Sequence, residues 1–245
     1  MMSDTQFFIL TPAYNCAQKI ENTLKSVAFQ TYKNWSMAVV DDTSTDNTKN
    51  AVLRLARQLG VSDRVKVIRR EEKYGEVRNT LDVCLSLDDD VVVVRLDAGD
   101  WITDMGCFQI LNMIYKSHDP AVLWTNQRWS WTNYSICGPI DPSTSVYDQK
   151  WSSSHLKTFR ARELKDLNEK NFKDNEGNWI TIGCDQAIFL PMMERARLAD
   201  RPLIYLPLVM YHYDIELDNP NLFTQKRSID QKMSAEKIRE RGFIT

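Results

Sequence analysis

Three short apolar runs, each closing on polar or acidic side chains, narrow the folds open to this chain. Phe7-Phe8-Ile9-Leu10 leads into Thr11-Pro12-Ala13-Tyr14-Asn15, and Met37-Ala38-Val39-Val40 leads into Asp41-Asp42-Thr43-Ser44-Thr45-Asp46. Val91-Val92-Val93-Val94-Arg95-Leu96 leads into Asp97-Ala98-Gly99-Asp100. Unbroken apolar runs of this length suit strands buried on both faces, as in a parallel sheet. Such strands deliver their trailing carboxylates to one edge, and open α/β sheets bind ligands at that C-terminal edge. Carboxylates there suit ribose hydroxyls, a base N–H, or a divalent cation carrying phosphates.

The segments between the runs read as helices. Residues 17–30 carry Ile20, Leu24 and Val27 at helical spacing. Residues 46–59 open on Asp46, a helix-capping residue type, and stop before Gly60. Val65-Lys66-Val67-Ile68 is a strand, and residues 75–87 are a helix before the Val91–Leu96 strand. This β-α-β-α-β-α-β order predicts a parallel sheet through right-handed crossovers. Further on, residues 104–117 are expected helical and Ala121–Thr125 a strand. Residues 126–155 are expected as irregular loop, and loops that long are usually functional. Residues 160–170 are expected helical, 185–197 helical around Pro191, 203–213 a strand, and 226–241 a charged helix.

Charge is nearly balanced at −2, which argues against a general polyanion binder. Lys157, Arg160, Arg162, Lys165, Lys226, Arg227 and Lys232 give local positive charge, of the kind usually found on solvated faces. Mean hydropathy is −0.42, and no apolar run approaches the ~20 residues of a membrane span. The first residues lack the basic and apolar regions of a signal peptide. Five scattered cysteines form no C-x-x-C pair, which points to reduced thiols in a cytoplasmic protein. Attachment to a membrane surface stays open.

Five segments, in order, resemble the inverting family 2 glycosyltransferases of GT-A fold. They are Leu10–Asn15, Ser26–Tyr32, Val39–Thr48, Tyr74–Asn79 and Leu96–Asp100. The resemblance implies an α/β fold, with a Rossmann-like, mostly parallel sheet flanked by helices and an irregular acceptor-side second half. Residues 1–245 would form one domain, 1–101 the nucleotide-sugar half and 102–245 the acceptor half with a C-terminal helix. The implied reaction moves a sugar from a nucleoside-diphosphate sugar, commonly a UDP-sugar, to a hydroxyl on a glycan, lipid-linked sugar, protein or modified nucleic-acid base.

The resemblance also assigns residues. Gly183-Cys184-Asp185-Gln186 aligns with the family's catalytic acidic motif, making Asp185 the general base; read without the resemblance, Asp185 is more often a helix cap. Thr11, Ala13, Tyr14, Asp42, Arg78, Asp97 and Ala98 would bind the nucleotide sugar. Asp97, Asp100 and His212 would hold Mn2+ or Mg2+, with histidine favouring manganese. The family pattern Asp-x-Asp-Asp is broken here by Gly99, which puts obligatory metal binding in question. His155, Trp151 and Cys184 would meet donor sugar or acceptor, and Trp124, Trp129 and Trp131 flank the same region. Two other classes remain: a degenerate binding or scaffold protein, which Gly99 favours, and a nucleotidyltransferase. The latter usually has a glycine-rich basic loop after its first strand, and Thr11–Asn15 is not one.

Overall fold

A computed structural model describes residues 4–130, 132–214 and 225–245, the side chains of 225–228 excepted. One eight-stranded sheet runs through it. The strands are β1 (Phe7–Ala13), β2 (Trp35–Asp41), β3 (Val65–Arg69), β4 (Val92–Arg95), β5 (Trp101–Ile102), β6 (Val122–Trp129), β7 (Lys157–Arg160) and β8 (Leu203–Tyr213). Their spatial order is β3-β2-β1-β4-β7-β6-β8-β5. The first four are parallel; β7 runs antiparallel to β4 and β6, β8 lies parallel to β6, and β5 pairs antiparallel with β8.

Helices cover both faces. Phe7 and Ile9 of β1 join Val92 and Val94 of β4 against α1 (Ile20–Ala28), α2 (Thr48–Gln58) and α4 (Cys107–His118). Phe8, Leu10 and Val93 point the other way, toward α3 (Gly75–Leu85) and α5 (Cys184–Leu198). Ile238 of α6 (Gln225–Arg241) closes that second core. Strands buried on both faces carry apolar residues on both, which is why they read as runs rather than alternations. Each fully buried Leu, Val or Phe contributes about 1.5–3 kcal/mol. The expected fold class is the one observed.

Two expectations are corrected. Residues 160–170 are not a helix: β7 ends at Arg160, and only short 3-10 turns follow, at Ala161–Glu163 and Glu169–Phe172. The charged side chains that suggested a solvated helix are held by carboxylates instead. Arg160 bonds Asp119, and Arg162 reaches Asp90 and Asp119 at 2.6 and 2.7 Å. Residues 126–129 are not loop but the end of β6, which continues beside β8 past an irregularity near Asn126. On α6, the expected charged helix, Ile229 and Met233 are half exposed and, among the described side chains, Ile238 alone is buried.

Candidate active site

Arg95 and Lys157 face each other across the β4–β7 ladder at the C-terminal edge of the parallel strands. Both are fully buried. Their register puts them on the same side of the sheet as Val93 and Phe159, the side covered by α3 and α5. The N-termini of those two helices bring carboxylates to the cations. Glu76, in the first turn of α3, accepts from Arg95 Nη2 at 2.5 Å. Asp185, in the first turn of α5, accepts from Lys157 Nζ through Oδ1. Asp97, two residues beyond β4, accepts from Arg95 Nη2 at 3.3 Å. Arg95 Nε and Nη1 have no hydrogen-bond partner among the described residues.

His155 sits between the two remaining carboxylate oxygens. Its Nε2 lies 3.7 Å from Asp185 Oδ2 and 3.9 Å from Asp97 Oδ2. The imidazole is buried and stacked on Tyr211, with ring centroids 4.6 Å apart and planes 15° apart. Asp97 and Asp185 are each about a third exposed, at 35% and 34%, so this pair opens to solvent while the cations do not. Two buried cations thus stand behind a pair of accessible carboxylates.

The environment sorts the protonation states. Burial pushes the Asp185 carboxyl up, but Lys157, His155 and Arg95 outweigh it and hold the group well below the usual carboxylate range. Burial raises Glu76 to about 7; Arg95 opposes the rise and Asp97 and Asp185 add to it. Burial and Lys157 lower His155, against Asp185 and Asp97, so its imidazole is neutral at pH 7. The arrangement supplies an ionised carboxylate, a neutral imidazole beside it and fixed positive charge behind. That combination suits proton removal from a hydroxyl and stabilisation of an anionic leaving group.

The expected nucleotide residues line the neighbouring strand ends. Asp42, just past β2, is buried, and its two oxygens accept from Tyr74 N at 2.9 Å and Gly75 N at 3.0 Å. It therefore anchors the start of α3, one residue from Glu76. Thr11 is buried, its Oγ1 without a partner among the described residues, and Ala13 is buried at the end of β1. Tyr14 is half exposed, with Lys73 Nζ 4.0 Å from its ring centre. Arg78 lies over the Tyr74 ring at 3.6 Å. Ala98 is partly buried between Asp97 and Gly99. Lys157 Nζ lies 5.4 Å from the Trp151 ring centre. Burial, Glu76 and Asp185 push the half-buried Cys184 thiol up, so it is no nucleophile. Trp124 is core, bonding Gly138 O at 2.9 Å, and Trp131 lies outside the described residues.

The three expected metal ligands are not brought together. Asp100 is buried, its Oδ2 accepting from Tyr211 OH at 2.5 Å and its Oδ1 from Asp214 N at 2.8 Å. Burial and Asp97 push its carboxyl up, which disfavours the charged form a cation needs. His212 alternates to the opposite side of β8 from Tyr211 and stacks on Trp101 at 3.8 Å. Its Nδ1 accepts from Arg128 Nε at 3.2 Å, and its Nε2 lies 3.3 Å from Ser130 Oγ. Among the described residues no group of three His, Cys, Asp or Glu side chains is arranged to hold a metal ion. The donors as placed do not fit a resident divalent cation. Gly99 has a conformational reason: its φ is +105°, a backbone that a side chain strains, and its N–H is fixed to Thr23 Oγ1 at 3.0 Å.

Sequence reasoning missed Arg95, Glu76 and Tyr211 as site residues, and it took Lys157 for a solvated cation. One local signal was present: Arg95 is a charge at the end of a four-valine run, immediately before the acidic turn.

The chain is similar to known glycosyltransferases. The sequence model described as Glycosyl transferase family 2 matches residues 8–136. The putative glycosyltransferase EpsE of Bacillus subtilis is 32% identical over 102 residues, 41% of this chain and 35% of that protein. UDP-Glc:alpha-D-GlcNAc-diphosphoundecaprenol beta-1,3-glucosyltransferase WfgD of Escherichia coli is 34% identical over 116 residues, 46% of this chain and 43% of that protein. The matched stretches thus span less than half the length of these relatives. Among solved structures, the mannosyltransferase PcManGT from Pyrobaculum calidifontis, in complex with GDP-Man and Mn2+, superposes with a TM-score of 0.65. It is 16% identical, over 95% of this chain and 63% of that one, which speaks for the fold. Among the described residues no helix is long and apolar enough to cross a membrane.

Proposed function

The chain belongs to glycosyl transferase family 2, and on that premise we propose that it moves a sugar, with inversion, from a UDP-sugar to a hydroxyl acceptor. The observation that carries this reading is the paired Asp185 carboxylate, with one oxygen on Lys157 and the other open beside Asp97 and His155. Asp185 Oδ2 takes the proton of the acceptor hydroxyl as that oxygen attacks the anomeric carbon. The bond from that carbon to the diphosphate breaks, and the nucleoside diphosphate leaves with the electron pair. Arg95 and Lys157, behind the carboxylates, offset the developing negative charge, aided by the α3 and α5 N-termini.

Thr11, Ala13, Tyr14, Asp42, Arg78, Asp97 and Ala98 form the nucleotide side of this reading. His155, Trp151 and Cys184 stand on the sugar and acceptor side. The name of WfgD includes a UDP-sugar, which supports uridine as the base. Residues 1–101 serve the donor and 102–245 the acceptor. A cytoplasmic place of action suits the five free thiols.

The test is calorimetry with UDP and GDP, each with Mn2+ and with EDTA, followed by UDP release from UDP-sugars. The reading expects UDP-selective binding that survives EDTA, then slow release of UDP. Binding without any turnover on a broad acceptor panel favours a degenerate binder. Loss of all binding in EDTA overturns the metal-independent geometry.

A further inference from the structure

A fully buried lysine in the sheet is costly unless a carboxylate meets it. Lys157 occupies the first position of β7, opposite Arg95, and no part of its side chain is exposed. Its ammonium sits 4.5 Å from the Phe189 ring centre and 5.4 Å from that of Trp151, and its bond goes to Asp185 Oδ1. The chain between them spans 28 positions, so the contact is tertiary. Leucine or methionine would fill this place between aromatic rings without the desolvation penalty. A staple from α5 to the sheet needs no charge here.

The consequence of the pair is directional. Lys157 occupies Oδ1, and Oδ2 is left facing His155 Nε2, on the side that Asp97 Oδ2 also faces. We propose that Lys157 is a positioning residue of the transfer reaction, holding the Asp185 carboxylate by one oxygen so that the other alone meets the acceptor hydroxyl. This rests on the reading of Asp185 as the base. His155 completes the arrangement: its ring is locked by the Tyr211 stack, and its Nε2 faces both free oxygens. The tautomer with hydrogen on Nε2 follows, because that nitrogen faces two acceptors while Nδ1 has no partner among the described residues.

The groups around Asp185 are Lys157 and His155 from β7 and its approach, Arg95 from β4, Glu76 from α3 and Cys184 on α5 itself. The cations hold the carboxylate ionised, and removing Lys157 takes away the largest of their contributions. A neutral replacement must therefore raise the pH at which Asp185 gains its proton.

The experiment compares Lys157→Met, Lys157→Gln and Lys157→Arg with the unaltered protein and with Asp185→Asn. The 13C resonance of the Asp185 carboxyl, assigned by its absence in Asp185→Asn, is titrated in each folded variant. The pH profile of kcat and the donor KM are measured alongside. The expected result is an Asp185 titration raised by about one pH unit or more in the Met and Gln variants. Their kcat at neutral pH falls about tenfold or more, with an acid limb moved the same way and a donor KM within about threefold. Lys157→Arg keeps both profiles near those of the unaltered protein. Should Lys157→Met fail to fold, the Gln and Arg contrast decides. An Asp185 titration that does not move, or a kcat lowered equally at every pH, overturns the proposal. Turnover surviving in Asp185→Asn overturns the base reading instead, and the carboxyl titration still shows whether Lys157 holds that group.

Discussion

Replacing Arg95 by methionine should destabilise the protein less than the loss of a buried arginine suggests, and more at high pH than at low. Arg95 is 1% exposed and bonds Glu76 at 2.5 Å and Asp97 at 3.3 Å. Removing one partner of a buried ion pair typically costs about 3–5 kcal/mol. Here both carboxylates are about a third exposed, at 30% and 35%. Water re-solvates them when the guanidinium is gone, which brings the loss to about 2 kcal/mol. Arg95 Nε and Nη1 are buried without partners among the described residues, and deleting such donors returns about 1 kcal/mol. Methionine also fills most of the vacated volume. The net expectation is a loss of about 1 kcal/mol at pH 8. Glu76 gains its proton near 7, so at pH 5.5 the pair is already weakened and the loss shrinks toward zero. Urea denaturation at both pH values, with unchanged m, measures this. A double-mutant cycle with Glu76→Gln assigns the coupling to that pair. A loss above about 4 kcal/mol would show that the two orphan donors are satisfied in solution, against the reasoning. Equal losses at both pH values would show that Glu76 is not the titrating partner.

Glu76 itself should titrate near 7 by carboxyl 13C NMR, whereas an ordinary glutamate titrates at 4.5. The folded state then binds this proton more tightly than the unfolded chain, so the Glu76 contribution to stability falls as pH rises from 4.5 to about 7. The difference in stability between the unaltered protein and Glu76→Gln should follow that slope, and a flat difference counts against it. Gly99→Asp restores the carboxylate of the family pattern at a backbone φ of +105°. It should lower stability by about 1–2 kcal/mol in a thermal melt without raising Mn2+ affinity by calorimetry, and a tight Mn2+ site in this variant would refute the reading of Gly99.

The parts of the fold visible in the sequence are those fixed by local pattern. β1, β2 and β4 carry the apolar runs Phe7–Leu10, Met37–Val40 and Val92–Val94 because both faces are covered, and α1 shows Ile20, Leu24 and Val27 on one face. β7 was hidden because its sequence, Lys157-Thr158-Phe159-Arg160, carries two charges in four residues. Its burial depends on Asp185 and Asp119, which lie far away in the chain. The same distinction runs through the site. Asp97 and Asp185 fall in recognisable segments, so their positions were legible. Arg95, Glu76 and Lys157 matter through partners on other elements, and no local spacing encodes such pairing. His212 was expected beside the acidic turn, whereas strand alternation, invisible until β5 pairs with β8, turns it toward Trp101.

The most direct measurement of the account is the turnover of Asp185→Asn beside its affinity for UDP. Asparagine keeps the shape but cannot take a proton, so kcat should fall by about a hundredfold to ten-thousandfold. UDP affinity should stay within about threefold, since the proposed nucleotide side lies on α3 and at the ends of β1, β2 and β4, and 1.4 kcal/mol would already be a tenfold change. Turnover near that of the unaltered protein, in a folded variant that still binds UDP, would remove Asp185 as the base and with it the central claim.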